Sequence, residues 1–148
     1  MARARSKRAD LAAWIGTKIS ATLIDFGQPL LALLPPDASL DMRKQIVGHI
    51  VLHWNAHVMA SSWGQPEYLA QLRDTLAAAT VRGELDPQAL AAFETLSARH
   101  KLRRFVDDPR AIGLWEVRDI GPGQWNIRCD ARLPEHLESP QRDSTPRP

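Results

Sequence analysis

At 148 residues and 44% apolar side chains, the chain is long enough to bury roughly two-thirds of its unfolded surface in one domain. Its single cysteine, Cys129, excludes an internal disulfide and points to the reducing cytoplasm. The net charge of +2 is uneven: Arg3, Arg5, Lys7 and Arg8 put four positive charges into the first eight residues, and the remaining 15 basic and 17 acidic residues sum to −2, which excludes a uniformly basic nucleic-acid-binding face.

Residues 1–8, MARARSKR, lack apolar periodicity and read as a disordered basic arm. The run that follows, LAAWIG, is interrupted by Lys18 and Asp25 before a cleavage site of the secretory kind. A basic amphipathic start bearing Trp14 also suits a transit segment or a membrane-surface anchor. No stretch is apolar over the length a transmembrane helix needs. Leu11, Ile15, Ile19, Leu23 and Phe26 recur at helical spacing and predict a first helix over residues 10–26, broken by Gly27 and Pro29. Leu30, Leu31, Leu33 and Leu34 continue the apolar pattern until Pro35 and Pro36 stop it, a compact run expected to bury against the central helix.

Ser39 or Asp37 caps the next predicted helix, with Asp41 in its first turn. This central helix, about 39–62, is apolar around most of its circumference: Ile46, Val47, Ile50, Val51, Trp54 and Val58 form one arc, and Leu52 and Met59 lie opposite. Such a helix is expected to be wrapped by the others. His49, His53 and His57, each four residues from the next, form a row along it. That spacing lets one helix supply two ligands to a metal ion. A third ligand would come from Asp25, Glu94, Asp107, Asp108 or His100, because no HExxH or CxxC pattern marks one. The plainer reading is a seam of hydrogen-bonded imidazoles at the edge of the core.

Trp63 and Gly64 end the central helix, and Pro66 opens a third, with Leu69, Leu72 and Leu76 on its face and Gly83 at its close. Asp86 and Pro87 start a fourth, predicted to run to Phe105 and to finish in Arg99, Lys101, Arg103 and Arg104. Those cations suit the negative end of a helix, and together with the arm they suit a phosphate backbone. After Pro109 the pattern alternates. Ile112, Leu114 and Glu116 fall on one side of the strand, and Trp115 and Val117 on the other. Gly121-Pro122-Gly123 then turns the chain into a second strand whose Trp125, Ile127, Cys129 and Ala131 share a face. Residues 134–148, with four prolines, read as a disordered tail.

The expected architecture is mainly α: a four-to-five-helix single domain, residues 9–133, built around the central apolar helix and closed by a C-terminal β-hairpin. Nucleotide-binding GxGxxG and GxxxxGK[ST] loops and the GxSxG elbow are absent, and no cofactor is implied. The first functional expectation is a small cytoplasmic protein-interaction module, bacterial by its arginine-rich and alanine-rich composition and able to form a homodimer. Its partner would seat on Trp14, Leu30, Leu31, Trp63 and Tyr68, large groups near element ends. The second is nucleic-acid association through Arg3, Arg5, Lys7, Arg8, Arg99, Lys101, Arg103 and Arg104. The third is a metal-dependent enzyme built on His49, His53 and His57.

Overall fold

A computed structural model describes residues 18–135. It contains α1 (Ile19–Phe26), α2 (Gln28–Leu31), α3 (Leu40–Ser62), α4 (Glu67–Val81), α5 (Pro87–Arg99), α6 (Arg103–Val106), β1 (Ala111–Gly121) and β2 (Gln124–Arg132). The fold class is therefore mainly α with a C-terminal antiparallel hairpin, as the patterning predicts.

Helix α3 is the axis. Its start is fixed by Ser39, whose Oγ accepts from the Met42 amide at 3.1 Å, removing one of the orphan donors of the first turn. Val47, Ile50, Val51, Trp54 and Val58 are all buried, and α1, α2, α4, α5 and β1 pack around them. Leu30, one of the residues expected to seat a partner, is enclosed in this core with Phe26, Leu23 and Ile50, as the compactness of its apolar run suggests. The reason is the tight passage at Gly27, where an added Cβ would sit 2.5 Å from Ile50 Cδ1. With no side chain there, the α1–α2 corner closes onto α3 and carries Leu30 inward.

Two features depart from the predicted pattern. The fourth helix does not run to Phe105: α5 ends at Arg99, Leu102 is extended (ψ 144°), and α6 restarts at Arg103. His100 and Phe105 lie five residues apart, so a continuous helix would aim them roughly 140° away from each other. The break lets both rings face Phe26 and Trp54, with Phe105 centred 5.6 and 6.0 Å from them and His100 6.2 and 5.6 Å. In the hairpin, Ile112 is buried whereas Leu114 is exposed. A bulge separates the Ile112–Ala131 and Trp115–Cys129 pairs, and the extra residue flips the alternation so that Ile112 and Trp115 both face α3. The bulge is held by Asp130, whose Oδ1 accepts from the Leu114 amide at 2.8 Å. A Cβ on Gly113 would collide with the Asp130 and Arg132 side chains.

The hairpin lies along α3 and is fastened at both ends. Trp115 sits over Gly48. Near the turn, the buried Arg43 stacks 5.5 Å over Trp125 and reaches Asp119 at 3.6 Å. At the other end Asn55 donates to Ile112 O at 2.9 Å and accepts from Ile112 N at 2.7 Å, pairing with the strand as a neighbouring strand would. Pro134, assigned to the tail on composition, is buried. The predicted arm, and the part of the first helix before Lys18, lie outside the described residues.

Asn55→Ala strands both backbone groups of Ile112, and each buried unpaired group costs about 1–3 kcal/mol. An overall loss of about 2 kcal/mol is expected after partial rehydration, measured as a lower urea midpoint at unchanged slope.

Candidate functional site

Three regions bring chemistry-bearing or apolar side chains together. The first is a groove between α3 and α4, with a volume of about 450 Å³. Leu52, Ala56 and Met59 supply one wall and Tyr68, Leu72 and Thr75 the other, with Asn55 and Gln71 as its amide groups. Each wall has i, i+4, i+7 spacing, so three successive side chains line one helix face. No lining residue is charged. Leu52 is 52% and Tyr68 50% exposed, so both walls present large groups to solvent. Helix α4 has Leu72 as its one buried residue and packs chiefly on α3, which leaves the groove open along its length.

Of the residues expected to receive a partner, Tyr68 belongs to this groove. Trp63 is half-buried and donates its indole N–H to Pro109 O at 2.8 Å, which makes it a fastening of α3 to the start of the hairpin. Leu31 is half-buried against the core, Leu30 is inside it, and Trp14 lies outside the described residues. The expected set is thus not one face. Leu52 and Met59 were the legible signal for the groove, a short apolar stripe opposite the main arc.

The second region is the histidine row. It does not converge. His49 is exposed at the rim, its ring 5.4 Å from Phe93 of α5, and His53 and His57 are buried against the same helix. His53 Nδ1 lies 2.8 Å from His49 O; a carbonyl only accepts, so Nδ1 carries the proton. The ring stacks on Phe93 at 4.6 Å. His57 stacks on His100 at 4.9 Å and hydrogen-bonds through Nε2 to Ser97 Oγ at 3.2 Å. Among the described residues, no group of three or more His, Cys, Asp or Glu side chains is placed to hold a metal ion. Desolvation by burial pushes His57 down to about 3, helped by the charges of His100, His53, Arg73 and Lys101. Burial likewise takes His100 down to about 4, against the pull of Asp108 and Asp107. These are neutral rings in the folded protein at pH 7.

The third region is the basic helix end. Arg99 donates to Phe26 O at 3.1 Å and Asp25 O at 2.6 Å, closing the C-terminus of α1 from outside. Arg99 and Arg104 both grip the Asp25 carboxylate, at 3.1 and 2.8 Å, and both lie over the Phe105 ring. Lys101 and Arg103 are exposed, and Arg3, Arg5, Lys7 and Arg8 lie outside the described residues. Half of the cluster therefore holds helices together. The Cys129 thiol, half-buried behind Trp115, is pushed up by burial and by Asp130, the opposite of what a nucleophile requires.

Compared with known proteins, the chain matches no protein-family model, no curated protein and no solved structure.

Arg99→Met removes two carbonyl caps and one ion pair, and a loss of about 1–3 kcal/mol is expected. Arg103→Ala should stay within about 0.5 kcal/mol, as for other surface changes. Paired thermal melts of the two variants check this, and equal melting points would deny Arg99 its structural role.

Proposed function

We propose that the chain is a small protein-interaction module whose partner seats in the α3–α4 groove. The observation that carries this reading is the pair Leu52 and Tyr68. Each is about half exposed, and they belong to the two opposing walls of one uncharged cleft. Scattered apolar residues are ordinary on a protein surface, but facing apolar walls at helical spacing suit an apolar side chain or helix face of another protein. An aromatic at such a rim anchors interfaces well, because its two-torsion side chain loses little freedom on contact.

The setting we infer is a bacterial cytoplasm. The lone cysteine needs no oxidising compartment, and among the described residues no helix is long and apolar enough to cross a membrane. The nucleic-acid reading has less geometric support, because Arg99 and Arg104 are engaged with Asp25 and with α1. The metalloenzyme reading has less again, since the histidine row does not gather around one point.

Photo-crosslinking tests the proposal. A photoreactive phenylalanine analogue at Tyr68 should yield one discrete heavier adduct in the native host, and the same group at the exposed Asp74 of α4 should not. Leu52→Glu should abolish the adduct while changing stability by less than about 1 kcal/mol, since Leu52 is half exposed. An adduct twice the chain mass identifies a second copy. Adducts that are equal from both positions, or that survive Leu52→Glu, would overturn the groove as the seat.

A further inference from the structure

We propose that the imidazoles between α3 and α5 form a proton-operated latch: uptake of protons by His57 and His100 parts α5 from α3 while the end of α5 stays hinged to α1.

The seam joins three imidazoles to the apolar side chains Ala92, Phe93 and Leu96 of α5. His57 of α3 lies face to face with His100, the C-cap of α5, with centroids 4.9 Å apart and planes 24° off parallel. One turn earlier His53 lies flat on Phe93 of α5, at 4.6 Å and 15°. All three histidines are buried, with relative exposures of 1% for His53, 7% for His57 and 4% for His100. Among the described residues the Nε2 atoms of His53 and His100 have no hydrogen-bond partner, so a proton arriving there meets no acceptor among them. Protonating the stacked pair would place two positive charges within 5 Å of each other, away from water.

The charged groups around the pair favour opening. Arg73 of α4 and Lys101 beyond α5 add positive charge near His57, as does His53 of α3 when protonated, and His49 does the same to His53. Asp107 and Asp108 oppose them at His100. Asp108, however, is already held in the two-pronged grip of Arg110, with Oδ1 and Oδ2 at 3.0 and 2.7 Å from its guanidinium. Folded values of about 3 for His57 and about 4 for His100 follow from this setting, against 6.5 for the exposed ring.

The sign of the effect is definite. A closed seam that keeps two rings neutral is fully stable above pH 6.5 and loses stability as pH falls towards those folded values, because the open form binds the protons the closed form refuses. Two such groups raise the open population roughly a hundredfold per pH unit across that window. What remains holding α5 is insensitive to those protons: α5 packs on α2, and Arg99 donates to the backbone carbonyls of Asp25 and Phe26. Acid therefore loosens the α3 face of α5, baring Phe93 and Leu96, before it disturbs the junction with α1.

Deuterium exchange of the full chain, corrected for the intrinsic rate and followed from pH 7.5 to 4.5, tests the latch. Expected is a rise in opening of residues 87–99 approaching a hundredfold per pH unit below about pH 6, with residues 67–81 rising less. His57→Phe/His100→Phe, which keeps stacked rings without a titrating nitrogen, should flatten that rise. If this variant fails to fold, carbon-13 titration of the wild-type imidazoles decides: the pair should stay neutral to below pH 5 or take up its protons in one step together with opening. Equal pH slopes in wild type and variant, constant exchange of α5 down to pH 4.5, or independent titration of both rings near 6.5 in an intact fold would each overturn the proposal.

Discussion

The structure depends on the way side chains of α3 occupy the backbone of residues 109–112. Trp63 Nε1 takes the Pro109 carbonyl, Trp54 Nε1 takes the Arg110 carbonyl, and the Asn55 amide takes both groups of Ile112. A two-stranded hairpin is marginal by itself, and the chain entering β1 crosses the core, where unpaired carbonyls are costly. Three side chains from one helix remove that cost. They also fix where β1 starts, and the bulge at Gly113 then decides which face of the hairpin meets α3.

The same crossing carries a buried ion pair. Asp108 and Arg110, with side chains 0% and 4% exposed, form two contacts. Asp108 Oδ1 also accepts from the Arg110 amide, and Arg110 reaches Thr22 of α1 at 3.2 Å. A buried pair gives less net stability than its short distances suggest, because both ions lose hydration, yet losing one partner is severe. Its geometric effect is to bind α1 to the entry of β1. A parallel link at the surface side joins α1 to α5 and α6 through Asp25 with Arg99 and Arg104. Helix α1 is thus fixed from two directions, α5 through Arg99, the imidazole seam and its packing on α2, and α4 mainly from α3. That leaves the groove on the least secured of the long helices, as expected of a region that binds.

Much of the architecture was legible because it obeys local rules. The Ser39 cap, the Asp86-Pro87 start and the stops at Gly64 and Gly83, with φ of 66° and 68°, follow from backbone sterics and cap chemistry that a sequence displays. The apolar arc of α3 named Val47, Ile50, Val51, Trp54 and Val58 as buried, while Ile46 is only half-buried and the burial of Arg43, His53 and His57 was not legible from hydropathy. What stayed hidden needs partners distant in sequence. Periodicity could not announce that α5 ends early to bring His100 and Phe105 onto one target, nor that Asp130 stabilises a bulge sixteen residues away. The compact apolar run from Leu30 to Leu34 suggests burial against α3, which Leu30 shows, but the close approach at Gly27 that carries it inward is not written in the pattern. Arg99 and Arg104 looked like a patch because their acceptor, Asp25, lies more than seventy residues earlier. The groove was half visible, in Leu52 and Met59, and needed α4 beside it to become a cleft.

If α3 holds residues 109–112 as described, the Ile112 amide and the indole N–H groups of Trp54 and Trp63 should be released only when α3 itself unfolds. Native-state hydrogen exchange by NMR reads all three, together with the α3 amides, in one sample. The account predicts opening free energies for the Ile112 amide and the Trp54 indole that match those of Val51 and Val58 and fall together with them as denaturant is added, with the half-buried Trp63 indole close behind. Exchange of the Ile112 amide and Trp54 indole a hundredfold or more faster than those α3 amides, roughly 2.7 kcal/mol, would show that the hairpin opens without α3 and would contradict it.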